Sequence, residues 1–333
     1  MSSNKKRKAI LPLHIDTTSF TAVQSQNSIY NFWRRLNKRQ FPVFILLTIL
    51  FFSLFLNLIQ YNQQSLPRND LLVLHDSLPP VPLTAYHHAV IIAGHAIYKG
   101  PSNIDGITND DNWVLESYQQ GGQVQTYIEH IKKGIDILKE DSNAVLIFSG
   151  GETRPTAGPR SESFSYWQIA QILLDDDSDI PIELKSGLSE RMLTEEFAKD
   201  SHENLLFSIC RFAEMTSNYP KQITVVGFEF KRKRFEDIHR HSIRYPIEQF
   251  HYIGIDPKDE DPSREEGELV NSLRPFEKDL YGCHGSLKQK KALRNPYRQR
   301  HAYGVSCPVL APLLNYCPSN NELYTGPLPW ILH

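Results

Sequence analysis

The 333-residue chain carries 36 lysines and arginines against 38 acids, a formal charge of −2, and 40% hydrophobic residues. That length suits one sizeable α/β domain with additions. The near-neutral balance excludes a globally basic nucleic-acid binder, so no nucleic-acid partner is expected.

Charge is unevenly spread along the chain. Lys5-Lys6-Arg7-Lys8, Arg34, Arg35, Lys38 and Arg39 crowd residues 1–40, where Asp16 is the only acid. This arm is polar and lacks a sustained period, which predicts disorder. The run FPVFILLTILFFSLFLNLI then begins at Phe41, ends at Ile59 and contains no charge. At about 1.5 Å per residue it reaches about 28 Å, close to the roughly 30 Å of bilayer hydrocarbon. A core helix would show a polar face and this run shows none, so residues 41–59 predict a transmembrane helix with the lipid bilayer as its partner. Pro42 fits the first turn. The leader is too long for a cleaved signal peptide and no small-residue cleavage site follows, which points to a retained signal anchor. The basic residues just before the span put the N-terminus in the cytosol. The result is a single-pass type II protein of the ER or Golgi with its large domain in the lumen. A mitochondrial inner-membrane location is the rival, because the arm is basic and poor in acid. Residues 60–86, with Pro79-Pro80-Val81-Pro82, read as an extended linker.

From His87 the pattern changes to alternating apolar runs and helical periods. Residues 89–94 read as a strand covered on both faces. A long polar loop follows, then a helix carrying Tyr127, Ile131, Ile135 and Leu138. Further strands are predicted at 144–148, 223–226 and 250–255. Further helices are predicted at 161–174, from Ser201 onward with Leu205, Ile209 and Phe212, and at 232–244. Strands alternating with helices predict an α/β, Rossmann-like, three-layer domain with a mainly parallel sheet over residues 87–255. Residues 256–333 read as an irregular extension wrapped on that domain. Of the four cysteines, Cys210 reads as a buried thiol, and Cys307–Cys317 is the expected bridge. No CxxC or Cys/His zinc spacing exists, and no metal site is assigned.

Four clusters follow strands or open helices, which in a parallel sheet gathers them at one edge. Gly94-His95 ends the first strand, and His95 is a candidate general base near neutral pH. Ser149-Gly150-Gly151-Glu152 ends the second; the glycine pair reads as an anion nest or, more simply, a tight turn. Ser161-Glu162 opens a helix, with capping alone as the simpler explanation. Glu196, Asp200, Ser201, Glu203 and Asn204 form the fourth, where Glu196 and Glu203 are candidate catalytic carboxylates and Ser201 and Asn204 candidate ligand contacts. Arg234, after the 223–226 strand, is placed to pair with a phosphate or carboxylate. Arg294 and its basic neighbours could close over the pocket, grip lipid head groups or face solvent.

In this order the clusters resemble the domain-of-unknown-function 218 family, the SanA/YdcF/ElyC-like proteins, over about residues 89–255. The family's glycine-ended strand, Ser-Gly-Gly, Ser-Glu, acidic residue, Ser-x-Asn-Thr-x-Glu-Asn and His-x-x-Arg correspond to residues in this chain. They are Gly94, Ser149-Gly150-Gly151, Ser161-Glu162, Glu196, Ala198-Lys-Asp200-Ser201-His-Glu203-Asn204 and Lys231-x-x-Arg234. Lys231 stands where the family has histidine, and Asp200-Ser201 where it has Asn-Thr. Phe228-Glu-Phe-Lys-Arg-Lys-Arg-Phe resembles the fungal branch. The resemblance implies a Rossmann-like fold and membrane anchoring. One member is reported to bind S-adenosylmethionine, and no settled reaction or cofactor comes with the family. The expected function is binding of a polar or anionic small molecule. The domain would act as a hydrolase or transferase in glycan, lipid-carrier or nucleotide-linked metabolism, or else as a non-catalytic binding or scaffold module.

Overall fold

The computed structural model describes residues 41–64, 85–258 and 261–331. The basic arm and residues 65–84 of the expected linker lie outside the described residues. The chain divides into two units, one ending at Pro79 and one beginning at Pro80.

The first unit contributes helix α1 (Phe41–Gln64). Its window Pro42–Ile59 has a mean hydropathy of 2.5 and, among the described residues, is the one helix long and apolar enough to cross a membrane. The helix continues to Gln64, through the first residues of the expected linker. Its polar side chains turn back on the backbone. Thr48 Oγ1 donates to the Phe44 carbonyl at 2.5 Å and Asn57 Nδ2 to the Ser53 carbonyl at 2.9 Å. Such bonds lower the cost of a polar side chain on an apolar helix.

The second unit is built on five parallel strands. They are β1 (His88–Ala93), β4 (Ala144–Ser149), β5 (Met192–Glu195), β6 (Gln222–Gly227) and β7 (Phe250–Gly254), in the spatial order β5-β4-β1-β6-β7. β1 pairs Ile91 with Ile147 of β4 on one side and with Val225 of β6 on the other. β1 and β4 are buried at every position, which explains their unbroken apolar runs. Alternate residues serve opposite faces. Val90, Ile92, Leu146 and Phe148 pack with Tyr127 and Ile131 of helix α2 (Gln123–Glu140) and Tyr166 and Ile169 of helix α3 (Glu162–Asp176). Ala89, Ile91, Val145 and Ile147 pack with Leu205, Ile209 and Phe212 of α5 (Ser201–Thr216). This is the expected three-layer α/β domain.

Several elements depart from the sequence reading. The polar loop after β1 contains a short antiparallel pair, β2 (Ile97–Tyr98) with β3 (Trp113–Val114). Helix α4 (Ile182–Ser189) and edge strand β5 were not foreseen. The basic segment after β6 is π-helical over Arg234–His239, and only Arg240–Ser242 is α-helical.

The C-terminal extension is largely short helices. It buries Phe276, Leu287, Tyr303, Leu310 and Trp330 in the core shared with α5. Its bridge is Cys283–Cys317, with Cα atoms 5.9 Å apart. The expected Cys307–Cys317 pairing does not form, because Cys307 is buried beside Tyr219 and Cys210.

Candidate functional site

Strand order reverses at β1. From it the sheet runs to β4 and β5 on one side and to β6 and β7 on the other. At such a switch point the loops leaving the strands part and open a crevice at their C-terminal ends. A cavity of about 670 Å³ lies there. Gly94 and His95 reach it from β1, Glu162 from the start of α3, Ser201 and Asn204 from the start of α5, and Lys231 and Arg234 from beyond β6. Lys290 and Arg294 reach it from the extension. Among the described residues, seven lysines and arginines line it against four carboxylates.

The glycines after β1 and β4 serve a purpose other than the one expected. The Gly150 N–H donates to the Glu195 carbonyl at 2.9 Å and the Gly151 N–H to the Ala198 carbonyl at 2.8 Å. Both donors are engaged, so the anticipated anion nest is absent, and neither residue lines the cavity. Gly94 and Gly150 instead make room for Glu162. Added β-carbons there would lie 2.6 and 2.9 Å from its Cβ. Glu162 is thereby laid across the ends of β1 and β4, where its carboxylate accepts from Thr153 Oγ1.

His95 is stacked on Phe228, with ring centroids 5.1 Å apart, and tilted against Tyr127. Burial, and then the Lys231 charge, push it well below the usual histidine range. That direction favours the neutral imidazole over titration near neutral pH. The group poised near neutrality is Lys231. Its Nζ lies 3.5 Å from both His95 ring nitrogens and over the Phe228 and Phe230 rings at 4.8 and 5.7 Å. Burial, followed by the Arg234 charge, lowers it to about 7. Among the described residues no carboxylate lies within 4.0 Å of Lys231, Lys290 or Arg294. Arg234 has Glu268 at 3.2 Å, both side chains being buried.

Asp200 caps α5, accepting from the Glu203 N–H at 2.8 Å. That leaves Ser201 Oγ 2.7 Å from His239 Nε2. Ser161 caps α3 through the Phe164 N–H, as expected, and also donates to Glu196 Oε2 at 3.0 Å.

The chain is 31% identical over 281 residues, covering 71% of this chain and 90% of the relative, to "Uncharacterized protein YOR238W" of Saccharomyces cerevisiae. The chain belongs to the family of that yeast protein. No protein-family model matches it, and no solved structure matches it.

Of the residues singled out from sequence, Gly94, His95, Glu162, Ser201, Asn204, Arg234 and Arg294 share the cavity wall. Ser149, Gly150, Gly151, Glu152, Ser161, Glu196 and Glu203 do not. Glu196 accepts from Thr194 Oγ1 and Ser161 Oγ. Glu203 accepts from the Lys199 N–H and pairs with Lys291 at 3.3 Å. Ser149 Oγ is fully buried, 2.6 Å from Glu195 Oε2 and 3.0 Å from Asn204 Oδ1.

Three residues escaped the sequence reading as site or support. Lys231 carried a signal, since it occupies the position of the resembled family's histidine. Lys290 carried none, being one lysine of a basic helix. Glu195 was hidden beside Glu196. It is wholly buried, hydrogen-bonded to Ser149, accepts from Tyr303 and the Phe197 and Ala198 N–H groups, and is raised by burial to about 7. Cys283, His284 and Cys317 cluster closely enough to hold a metal ion. The disulfide between the two cysteines leaves no thiolate to ligate one.

Proposed function

We propose that the α/β domain binds a polar, anionic small molecule at the sheet's switch point. One observation carries this reading. Lys231, Lys290 and Arg294 face a single cavity, and none has a carboxylate partner among the described residues. Cations gathered away from water destabilise one another, and a bound phosphate or carboxylate relieves that repulsion. The lowering of Lys231 and Lys290 by burial and by neighbouring arginines reflects the same strain. In this scheme Lys231 and Arg234 hold the anion, Glu162, Ser201 and Asn204 orient neighbouring polar groups, and Lys231 exchanges protons beside neutral His95.

A hydrolase or transferase of glycan, lipid-carrier or nucleotide-linked metabolism fits this cavity, and kinship with the domain-of-unknown-function 218 proteins belongs to the same proposal. A second reading, a non-catalytic binding module, is favoured by the fate of Glu196 and Glu203. Both expected acid–base groups are engaged in contacts that fix the start of α3 and α5. The test is thermal stabilisation of the full-length protein in detergent by phosphate or sulfate, against chloride at equal ionic strength. Stabilisation should be specific to the oxyanions and be lost in Lys231→Met and Arg294→Met variants that still fold. Equal response of wild type and variants would defeat the anion site. Turnover of bound ligand would then separate enzyme from binding module.

We also propose that the helix anchors the protein with its domain in the ER or Golgi lumen rather than the mitochondrial inner membrane. Arg34, Arg35, Lys38 and Arg39 before the span support that orientation. The Cys283–Cys317 bridge suits an oxidising compartment. Glycosylation of an engineered sequon in an exposed domain loop tests it, and an unmodified, protease-accessible domain in sealed microsomes would refute it.

A further inference from the structure

We propose that the anion held at the switch point is the head group of an amphiphile whose hydrocarbon tail lies along Leu115 and Leu293. The inference rests on the anion-binding reading above and specifies its ligand. A second cavity, of about 510 Å³, adjoins the first and shares Tyr118, Thr153, Arg154, Lys290 and Arg294 with it. Beyond those shared residues its wall is mainly apolar, with Val114, Leu115, Pro155 and Leu293 beside Thr156 and Glu116, whose carboxylate is paired with Arg154.

Leu293 is the most exposed large apolar side chain among the described residues, at 80%, and Tyr118 is 68% exposed. A single exposed leucine needs no explanation. Here two large apolar groups stand together at the mouth of a cationic hollow. Leu293 ends the helix Gly285–Leu293, which buries Leu287 in the core, and the next residue, Arg294, turns into the cavity. One stretch of chain thus sets a cation and a hydrocarbon side by side.

The order of chemistry along the two cavities is the order within an anionic lipid. Lys231 and Arg234 lie innermost, where a phosphate or carboxylate would be desolvated. Lys290 and Arg294 form the throat, suited to the remaining charge of the head group. The apolar groove follows, where a chain would cover Leu293 and Leu115. A free phosphate or a sugar phosphate would leave that groove empty and its leucine in water. Burial of methylenes in the groove should raise affinity about fourfold each until it is filled.

The test is a homologous series of methyl, butyl and octyl phosphate, below micelle formation, titrated by calorimetry against the full-length protein in zwitterionic nanodiscs. Affinity should climb steeply from methyl to octyl phosphate. Leu293→Ser should compress the series toward the methyl phosphate value, and Lys231→Met should weaken every member. Wild-type binding of methyl phosphate with no dependence on chain length would overturn the amphiphile while leaving the anion site intact. So would a chain-length slope unchanged by Leu293→Ser, or a nucleotide that outbinds octyl phosphate regardless of Leu293. Failure of all phosphates to bind would remove the anion site and this inference together.

Discussion

A β-carbon placed on Gly94 would lie 2.6 Å from the β-carbon of Glu162. The glycine ending β1 and the carboxylate opening α3 are thus fitted to each other, and the cavity wall depends on that fit. Gly94→Ala must push α3 off the sheet edge. A loss of about 1–3 kcal/mol is expected from overpacking, with oxyanion stabilisation reduced in parallel. Gly187, inside α4, provides the contrast, since a methyl group added there would meet nothing within 4 Å. Gly187→Ala should leave the site unchanged and add about 0.5–1 kcal/mol. Denaturant melts of both variants check the pair, and equal effects would contradict the packing argument.

Lys231 gives anion binding a pH dependence with a definite sign. Its ammonium is lowered from 10.5 to about 7, so above pH 7 the folded protein must take up a proton to present a cation. Sulfate, which does not titrate in this range, should therefore bind more tightly as pH falls from 8.5 toward 7. The change is up to about tenfold per unit, levelling below pH 6. His95, held well below the usual range, stays neutral throughout that window. Stability runs the opposite way. The unfolded chain keeps the Lys231 proton to about pH 10.5, so this residue makes the fold more stable as pH rises from 7 to 10.5. Lys231→Met should flatten both profiles, and a wild-type sulfate affinity independent of pH would rule out the assignment.

The sequence made the sheet legible because a parallel strand buried on both faces must be apolar throughout, as at 89–94 and 144–148. It did not reveal β5, whose four residues Met-Leu-Thr-Glu are short and half-buried at the edge. Placing clusters at strand ends was enough to gather Gly94, Glu162, Ser201, Asn204 and Arg234, since topology alone brings those ends together. The direction of individual polar groups was not legible. Gly150-Gly151 reads the same whether its N–H groups face a ligand or the Glu195 and Ala198 carbonyls. Glu196 and Glu203 looked like chemistry because acids near a helix start serve capping and catalysis alike. Lys290 was invisible because it reaches the cavity from a helix remote in sequence.

Glu195 carries the next prediction. Ser149 Oγ has one proton and two acceptors, Glu195 Oε2 and Asn204 Oδ1. A protonated Glu195 resolves this by donating to Ser149, which then donates to Asn204 at the cavity wall. Its carboxyl is raised from 4.5 to about 7, so the stabilisation is complete below about pH 4.5 and is lost as pH rises toward 7. Glu195→Gln mimics the protonated form and should gain stability relative to wild type between pH 5 and 8. Glu195→Ala strands the Ser149, Tyr303, Phe197 and Ala198 donors and should cost about 2–4 kcal/mol. Urea melts at pH 5 and pH 8 decide the matter. A wild-type-to-Gln difference that does not change with pH would mean Glu195 is ionised throughout.

The Cys283–Cys317 bridge closes a loop with a sequence separation of 34, and its chain carries the helix that ends in Leu293 and presents Lys290 and Arg294. Cross-linking a loop of that size restricts the unfolded chain and stabilises the fold by about 2–4 kcal/mol. Cys283→Ser with Cys317→Ser should therefore lower the melting temperature. It should also weaken sulfate binding more than it disturbs the sheet, because Lys290 and Arg294 depend on that helix whereas Lys231 lies in the turn that follows β6. Near-ultraviolet circular dichroism of the core aromatics and a sulfate titration on the same sample separate the two effects. Unchanged sulfate affinity in the double variant would show that the extension's cations are positioned without the bridge.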